Sequence, residues 1–203
     1  MPPAAATFGR VGEPQGTERL ILFTDAVVAI AITLLVLPLV DVVSEATEAG
    51  EPSIDVVVDN QAQIFSFLLS FFVIAKLWTE HHRLFAGVST ITGRVVLLNM
   101  LWVLTIVALP FATEMVGGYG TDRFTVLLYI GTVLVSSACL GALSVAVRGR
   151  LVADAVSATA LLAAAFLLAV LVPAVGYASL LLLFLSPLVE QLWRRWRPGD
   201  QVC

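Results

Sequence analysis

The chain has 203 residues, of which 59% are hydrophobic and only 13% are charged, and its mean hydropathy is +0.97. Soluble domains are about half apolar and about a quarter charged, so this composition is too apolar for a soluble core and indicates an integral membrane protein. The net charge of -4, without a basic stripe, argues against a nucleic-acid surface, and the distant cysteines Cys139 and Cys203 imply no disulfide framework.

Six apolar segments reach the ~20 residues that a helix needs to cross a bilayer. They are predicted at about 20–40, 56–79, 94–116, 124–147, 152–172 and 176–193. Only Pro173 and Gly176 separate the last two, and one kinked helix would have similar residues there. We therefore predict an all-α integral membrane six-helix bundle over 19–194, between an N-terminal tail (1–18) and a C-terminal tail (195–203).

The basic residues predict the orientation. Ten of the 11 Lys and Arg residues fall on one side of a six-span topology, and Arg123 is the exception. The positive-inside rule makes that side cytoplasmic, so we expect a multi-pass protein of the cell membrane with both termini in the cytoplasm. The acidic residues that follow the first span form either a solvated outer loop or a negative vestibule that attracts cations: Asp41, Glu45, Glu48, Glu51, Asp55 and Asp59.

The first span, "RLILFTDAVVAIAITLLVLPLV" (19–40), contains a carboxylate six residues after Arg19. A charge at the bilayer centre costs about 2.5–3.5 kcal/mol. Asp25 lies nearer the cytoplasmic end, where the cost is smaller but a partner is still needed. An N-terminal acid in a cap, with Thr24 or Glu18 helping, would explain it structurally, because the helix dipole is positive there. Pro38 is expected to end the span, with a hinge as the alternative.

The pattern Arg19-x-x-x-Phe23-Thr24-Asp25 resembles the Arg-x-x-x-Phe-Ser-Asp signature of the transmembrane protein 175 family of potassium channels, with threonine in place of serine. The stretch "LWTEHHRLF" (77–85) is similar to the family's Trp-x-x-His segment, and "NMLWVLTIVALPF" (99–111) to its Asn-to-Pro-Phe helix. The resemblance implies a homotetramer of six-helix units around a central pore, lined by the first helix and without a re-entrant filter loop. We interpret "GGYG" (117–120) as a turn.

The resemblance assigns the pore constriction and selectivity to Ile30, Thr33, Leu34 and Leu37. Their spacing fits one helical stripe with Thr33 beside it, but every face of this helix is apolar, so periodicity alone cannot choose the stripe. A narrow ring of Ile30 cannot replace a cation's hydration shell and would gate by dewetting. Thr33 hydroxyls would offer polar ligands that favour potassium. The alternative for the apolar positions is lipid contact or core packing.

At about 100° per residue, Asp25 lies about 140° around the helix from Ile30, so it should face neighbouring helices and brace the first helix. Its candidate partners are His81, His82, Arg19, Arg94 and Asn99. With Phe23 and Thr24, these residues form the predicted structural network, and either histidine would make it sensitive to pH. The alternative for one of the two histidines is a solvated loop end. Trp78 is interpreted as an interfacial anchor and Lys76 as a snorkelling side chain.

Together these features predict a potassium-selective, leak-type cation channel that needs no cofactor and holds no metal beyond potassium in transit. Its partners would be potassium ions, the lipid bilayer and other copies of the chain. The alternatives are a small secondary transporter or a proton-permeable cation pathway. A transporter would need an ionisable or broken-helix site near the midplane, and the central thirds of the spans contain no Asp, Glu, Lys, Arg or His. An enzyme would have to use Glu80, His81 and His82, which point to different faces of a helix.

Overall fold

The computed structural model describes residues 14–88, 91–120 and 122–149, together with Ala164. This part of the chain is helical between short turns, which agrees with the all-α prediction. The helices are α1 (Pro14–Leu34), α2 (Leu37–Ala49), α3 (Ser53–Asp59), α4 (Gln61–Phe85), α5 (Gly93–Tyr119) and α6 (Arg123–Arg148). Apart from Ala164, the predicted spans at 152–172 and 176–193 and the C-terminal tail lie outside the described residues.

Four helical segments in the described part are long and apolar enough to cross a bilayer: Gly16–Ala49, Gln61–Phe85, Gly93–Tyr119 and Arg123–Arg148. The first of them is longer than predicted at both ends. It begins inside the predicted N-terminal tail and, with a two-residue interruption after Leu34, continues to Ala49. Pro38 lies in the first turn of α2, where its missing N–H is tolerated. Pro38 therefore interrupts the segment and does not end it.

The acidic residues that were expected in an outer loop lie mostly on helices and not on an irregular loop. Asp41, Glu45 and Glu48 belong to α2, which ends at Gly50 with a left-handed φ of 71°. Short α3 carries two more carboxylates and ends at Asn60, whose side-chain amide donates to the Val56 carbonyl at 2.8 Å. Residues 56–59, predicted as the start of the second span, consequently belong to α3.

Contacts between the helices fix their directions. Thr24 on α1 bonds Asn99 on α5, and Gly16 faces Ile91. The two residues of each pair are 75 positions apart in the chain. Because this separation is the same for both pairs, α1 runs parallel to α5. On α4 and α5 the paired residues instead run in opposite order: His81 bonds Asn99, and Ser70 bonds Thr113. Helix α6 is parallel to α4, because Tyr129 bonds Ser70 and Arg148 reaches Arg83. The directions alternate as successive membrane crossings require.

Large side chains of α4, α5 and α6 fill the centre of the packing, with the following completely buried: Trp102, Tyr129, Ile74, Ile106, Leu109, Ile130 and Leu143. Gly117 permits a close approach of α5 to α4, because a Cβ there would lie 3.2 Å from Gln63 Cγ and Ser66 Oγ. The predicted turn at 117–120 is therefore mostly wrong. Residues 117–119 complete α5, and only Gly120, with φ of 61°, leaves the helix.

One end of the helices collects the basic residues. Arg83 lies in the last turn of α4, Arg94 lies in the first turn of α5 and Arg148 ends α6. The 75-residue register places Arg19 beside Arg94. The Arg148 guanidinium donates to the carbonyls of Arg83 (2.6 Å) and Leu84 (3.3 Å). These are among the last carbonyls of α4, which have no partner within their own helix. A single side chain thus ties the ends of α4 and α6 together.

The candidate pore helix and its anchor

Helix α1 divides into a buried face and an exposed face, although both are apolar in sequence. The buried face repeats at three- and four-residue steps through Thr24, Val28, Ala31 and Leu35. The opposite face carries candidate pore residues: Ile30 is 58% exposed and Leu34 43%, and Thr33 is also exposed. Leu37, the first residue of α2, is 51% exposed. All four predicted pore residues thus lie on one exposed side of the protomer, the outward stripe. Sequence periodicity alone could not identify this side.

A chain of hydrogen bonds anchors the buried face of α1 to two other helices. His81 Nε2 lies 2.7 Å from Asn99 Oδ1, Asn99 Nδ2 donates to Thr24 Oγ1 at 2.8 Å, and Thr24 Oγ1 donates to the Leu20 carbonyl at 2.8 Å. Asn99 Oδ1 can only accept, so His81 Nε2 carries the proton. All three side chains are completely buried. The network joins α4, α5 and α1.

The imidazole of His81 is enclosed by aromatic rings. It stacks on Trp102, with ring centroids 4.3 Å apart and planes 9° apart, and it contacts Phe85 at 4.7 Å. His81 is therefore a buried structural residue and not a solvated loop end. Trp102 was not singled out from the sequence, although its position three residues after Asn99 places both on the same side of α5.

The neighbours of His81 in sequence point elsewhere. His82 is exposed, and its ring centroid lies 5.6 Å from that of Trp78. Glu80 pairs with Lys76 one turn earlier, so Lys76 has a carboxylate partner on its own helix. The Glu80–His81–His82 triplet consequently does not converge, as expected from helix geometry. Among the described residues, no three His, Cys, Asp or Glu side chains are placed to hold a metal ion.

Asp25 has a different partner from those predicted. Its carboxylate accepts a hydrogen bond from Trp78 Nε1 at 2.8 Å, and none of the five candidate partners is hydrogen-bonded to it in the described structure. One residue is about 100° of rotation, so Asp25 faces α4 while the adjacent Thr24 faces Asn99. The contact does brace α1 from behind the outward stripe. Trp78 was expected only as an interfacial anchor, yet it is three residues before His81 and shares its face of α4.

Three other residues of the predicted network lie outside it. Phe23 is half exposed, and Arg19 and Arg94 are exposed at the basic end of the helices. In the described structure, no ion pair joins Asp25 to either arginine. The structure thus brings together Thr24, His81 and Asn99, with the carboxylate beside them, and leaves the rest of the motif on the surface.

A second buried polar cluster was not predicted. Ser70 Oγ lies 3.0 Å from the Tyr129 hydroxyl and 2.7 Å from Thr113 Oγ1, which also contacts the Leu109 carbonyl at 2.8 Å. This cluster joins α4, α5 and α6 towards the end opposite the His81 network. Single hydroxyl groups within long apolar runs are its only sequence signal.

Comparison with known proteins finds a family whose match includes the His81–Asn99–Thr24 network. Residues 19–110 match the family model described as "Endosomal/lysosomal potassium channel TMEM175". The chain is 30% identical over 101 residues to a potassium channel of Streptomyces collinus, covering 50% of this chain and 48% of that protein. It is 31% identical over 107 residues to a potassium channel of Chamaesiphon minutus, covering 53% and 52%.

An animal relative shows the same likeness over a smaller part of its length. The chain is 25% identical over 121 residues to the endosomal/lysosomal proton channel TMEM175 of Danio rerio, covering 60% of this chain and 23% of that protein. The matched stretch thus spans about half the length of the bacterial relatives and about a quarter of the animal one. The family match includes all of α4 and the whole outward stripe of α1. Residues 19–110, somewhat less than half of the chain, are therefore similar to the TMEM175 family of ion channels.

Proposed function

We propose that this chain forms a potassium-selective, leak-type channel in the cell membrane, as a homotetramer in which α1 of each protomer lines the pore. The observation that supports it most is the division of α1. One face is held by hydrogen bonds to α4 and α5, and the other presents Ile30, Thr33 and Leu34 outward, with Leu37 of α2 beyond them. The names of the bacterial relatives, which are potassium channels, agree with this function.

The outward stripe has the chemistry of a hydrophobic gate that contains one polar residue, Thr33. Rings of Ile30, Leu34 and Leu37 exclude water when narrow, and conduction then requires the rings to widen or the ion to remain partly hydrated. Thr33 Oγ1 donates its only hydrogen to the Ile30 carbonyl at 2.8 Å. Its lone pairs therefore remain available, and a hydroxyl oxygen in this state is a ligand for cations and not for anions.

The two anchors fix the rotation of α1 about its own axis. Thr24 bonds Asn99 on α5, and the next residue, Asp25, bonds Trp78 on α4. A rotation by one residue position, about 100°, would break both contacts and move Ile30 away from the proposed axis. The buried network thus acts as a positioning device for the constriction, at the cytoplasmic end of the helix.

The liposome experiment that tests this function compares potassium and sodium flux through the purified protein. We expect wild type to pass potassium faster than sodium, and Ile30→Asn to raise the flux and lower the selectivity. The matched control is Leu104→Asn, because Leu104 is 63% exposed on α5 and the 75-residue register places it within one residue of the same depth. The control should behave as wild type. Flux no higher than in empty liposomes, from both wild type and Ile30→Asn, would overturn the proposal.

A proton-permeable pathway is the second candidate, because the animal relatives are named proton channels. The same liposomes loaded with a pH-sensitive dye separate the two. Acidification driven by a proton gradient without potassium flux would assign the pathway to protons.

The proposed orientation places the basic end of the helices in the cytoplasm. It can be tested by cysteine labelling in a background with Cys139→Ser and Cys203→Ser. A membrane-impermeant maleimide applied to intact cells should label Glu48→Cys on α2 and leave Arg83→Cys unlabelled until the cells are lysed. The reverse pattern would invert the proposed topology.

A further inference from the structure

The interruption between α1 and α2 leaves the Leu34 carbonyl without its helical partner. In a continuous helix the Leu34 carbonyl would accept from the N–H of residue 38, but Pro38 has none. The bonds across the interruption run from Val36 N to the Thr33 carbonyl (3.4 Å), and from Leu39 N and Val40 N to the Val36 carbonyl (3.1 and 3.2 Å). None of them ends on the Leu34 carbonyl.

Leu34, the residue that carries this carbonyl, belongs to the outward stripe and lies within bilayer depth. Leu34 is exposed, as are Thr33 before it and Leu37 after it. Fifteen residues separate Leu34 from Arg19, which is roughly 22 Å of helix, less than the ~30 Å of a hydrocarbon core. Irregular backbone at this depth is stable only when it is buried in protein or lines a water-filled cavity. The interruption is therefore poorly suited to a lipid-facing position.

Helix α5 offers an internal comparison at the same depth. Pro110 lies 75 residues after Leu35, which is the register of α1 and α5. It also removes the donor for a carbonyl four residues earlier, that of Ile106, but Ile106 is completely buried and α5 is unbroken. A proline alone therefore does not create an exposed carbonyl, whereas the α1–α2 interruption combines a missing donor with an exposed position.

We propose that the Leu34 carbonyl oxygen, released by Pro38, is a potassium ligand at the outer end of the apolar constriction. This inference rests on the proposed pore-lining role of α1. The Thr33 hydroxyl is adjacent and has already donated its hydrogen to the Ile30 carbonyl. Each protomer thus supplies two oxygen acceptors in successive residues. Backbone carbonyls replace the hydration shell of potassium in channel filters, and here they would do so just beyond the ring of Ile30.

The test measures how conductance and thermal stability depend on potassium concentration. Pro38→Ala supplies an N–H to the Leu34 carbonyl, so the half-saturating potassium concentration should rise several-fold in both measurements. Pro110→Ala is the matched control and should leave it unchanged. A second variant replaces Leu35 by its α-hydroxy analogue. The resulting ester link weakens the Leu34 carbonyl as a ligand while keeping Pro38, and it should shift the half-saturation in the same direction.

The outcomes separate this inference from the proposed function. If wild type conducts potassium but neither Pro38→Ala nor the ester variant changes the half-saturating concentration, the carbonyl ligand is wrong and the channel proposal stands. If wild type does not conduct but is stabilised by potassium over sodium, and both variants lose that preference, the ligand is supported and the channel proposal fails. If potassium neither passes nor stabilises the protein, both are overturned.

Discussion

Removing the Asn99 side chain should loosen α1 from the rest of the protein. Asn99 is the central member of the buried network, with one bond to His81 on α4 and one to Thr24 on α1. Asn99→Leu nearly conserves volume, so the cost of a cavity should be small. The main effect should come from the polar groups that lose their partner.

The magnitude follows from counting those groups. The His81 Nε2–H is completely buried and would have no acceptor, which costs about 1–3 kcal/mol. Thr24 keeps its bond to the Leu20 carbonyl and loses only the contact with Asn99, worth about 0.6 kcal/mol for an interhelical bond in a membrane. The free energy of unfolding should therefore fall by about 1.6–3.6 kcal/mol.

Unfolding by titration with a denaturing detergent, followed by circular dichroism, measures this change. Replacing both partners by apolar residues removes the orphaned donor, so His81→Leu combined with Asn99→Leu should be more stable than Asn99→Leu alone. Thr132→Val is a suitable control, because Thr132 makes only the local bond to the carbonyl four residues earlier. Stability of Asn99→Leu within about 0.5 kcal/mol of wild type, the ordinary range for surface substitutions, would refute the role of the network.

Two further variants test contacts of helix α4. Trp78→Phe keeps an aromatic ring but removes the donor to Asp25, so the free energy of unfolding should fall by about 0.5–1.5 kcal/mol; an unchanged detergent titration would show that the bond does not brace α1. Gly117→Leu forces side-chain atoms into α4 and should cost about 1–3 kcal/mol. Gly118→Leu, with nothing within 4 Å of its Cβ position, should unfold like wild type, and a larger effect at Gly118 would contradict this packing.

The helix boundaries were predictable where a long apolar run is bounded by polar residues. Helices α5 and α6 begin and end within three residues of the predicted spans, because Arg94 and Asp122 mark their starts. The extent of the first span was not predictable from Pro38, because proline at the first turn of a following helix is as acceptable as proline after a helix end. The carboxylates beyond it were therefore expected in a loop, although α2 holds three of them.

The candidate site was predictable in depth but not in rotation. Thr24, His81 and Asn99 were all predicted to belong to one network at the start of α1, and they do meet. The rotation of each helix decides which neighbour is reached. Since all sides of α1 and α5 are apolar, their amino-acid pattern does not determine this rotation. The partner of Asp25 was missed for this reason, and because an indole N–H is easily overlooked as a donor in a residue expected at the interface.

The cap at the end of α4 gives two arginines unequal importance. Arg83 and Arg148 contribute the same charge to the sidedness of the protein, but only the backbone carbonyl of Arg83 takes part in the cap, whereas Arg148 supplies its guanidinium. Lysine at position 83 would preserve both charge and cap. Lysine at position 148 would keep the charge but lose the planar fork that reaches two successive carbonyls. In related sequences, basic character should be enough at the first position, while the second should be restricted to arginine.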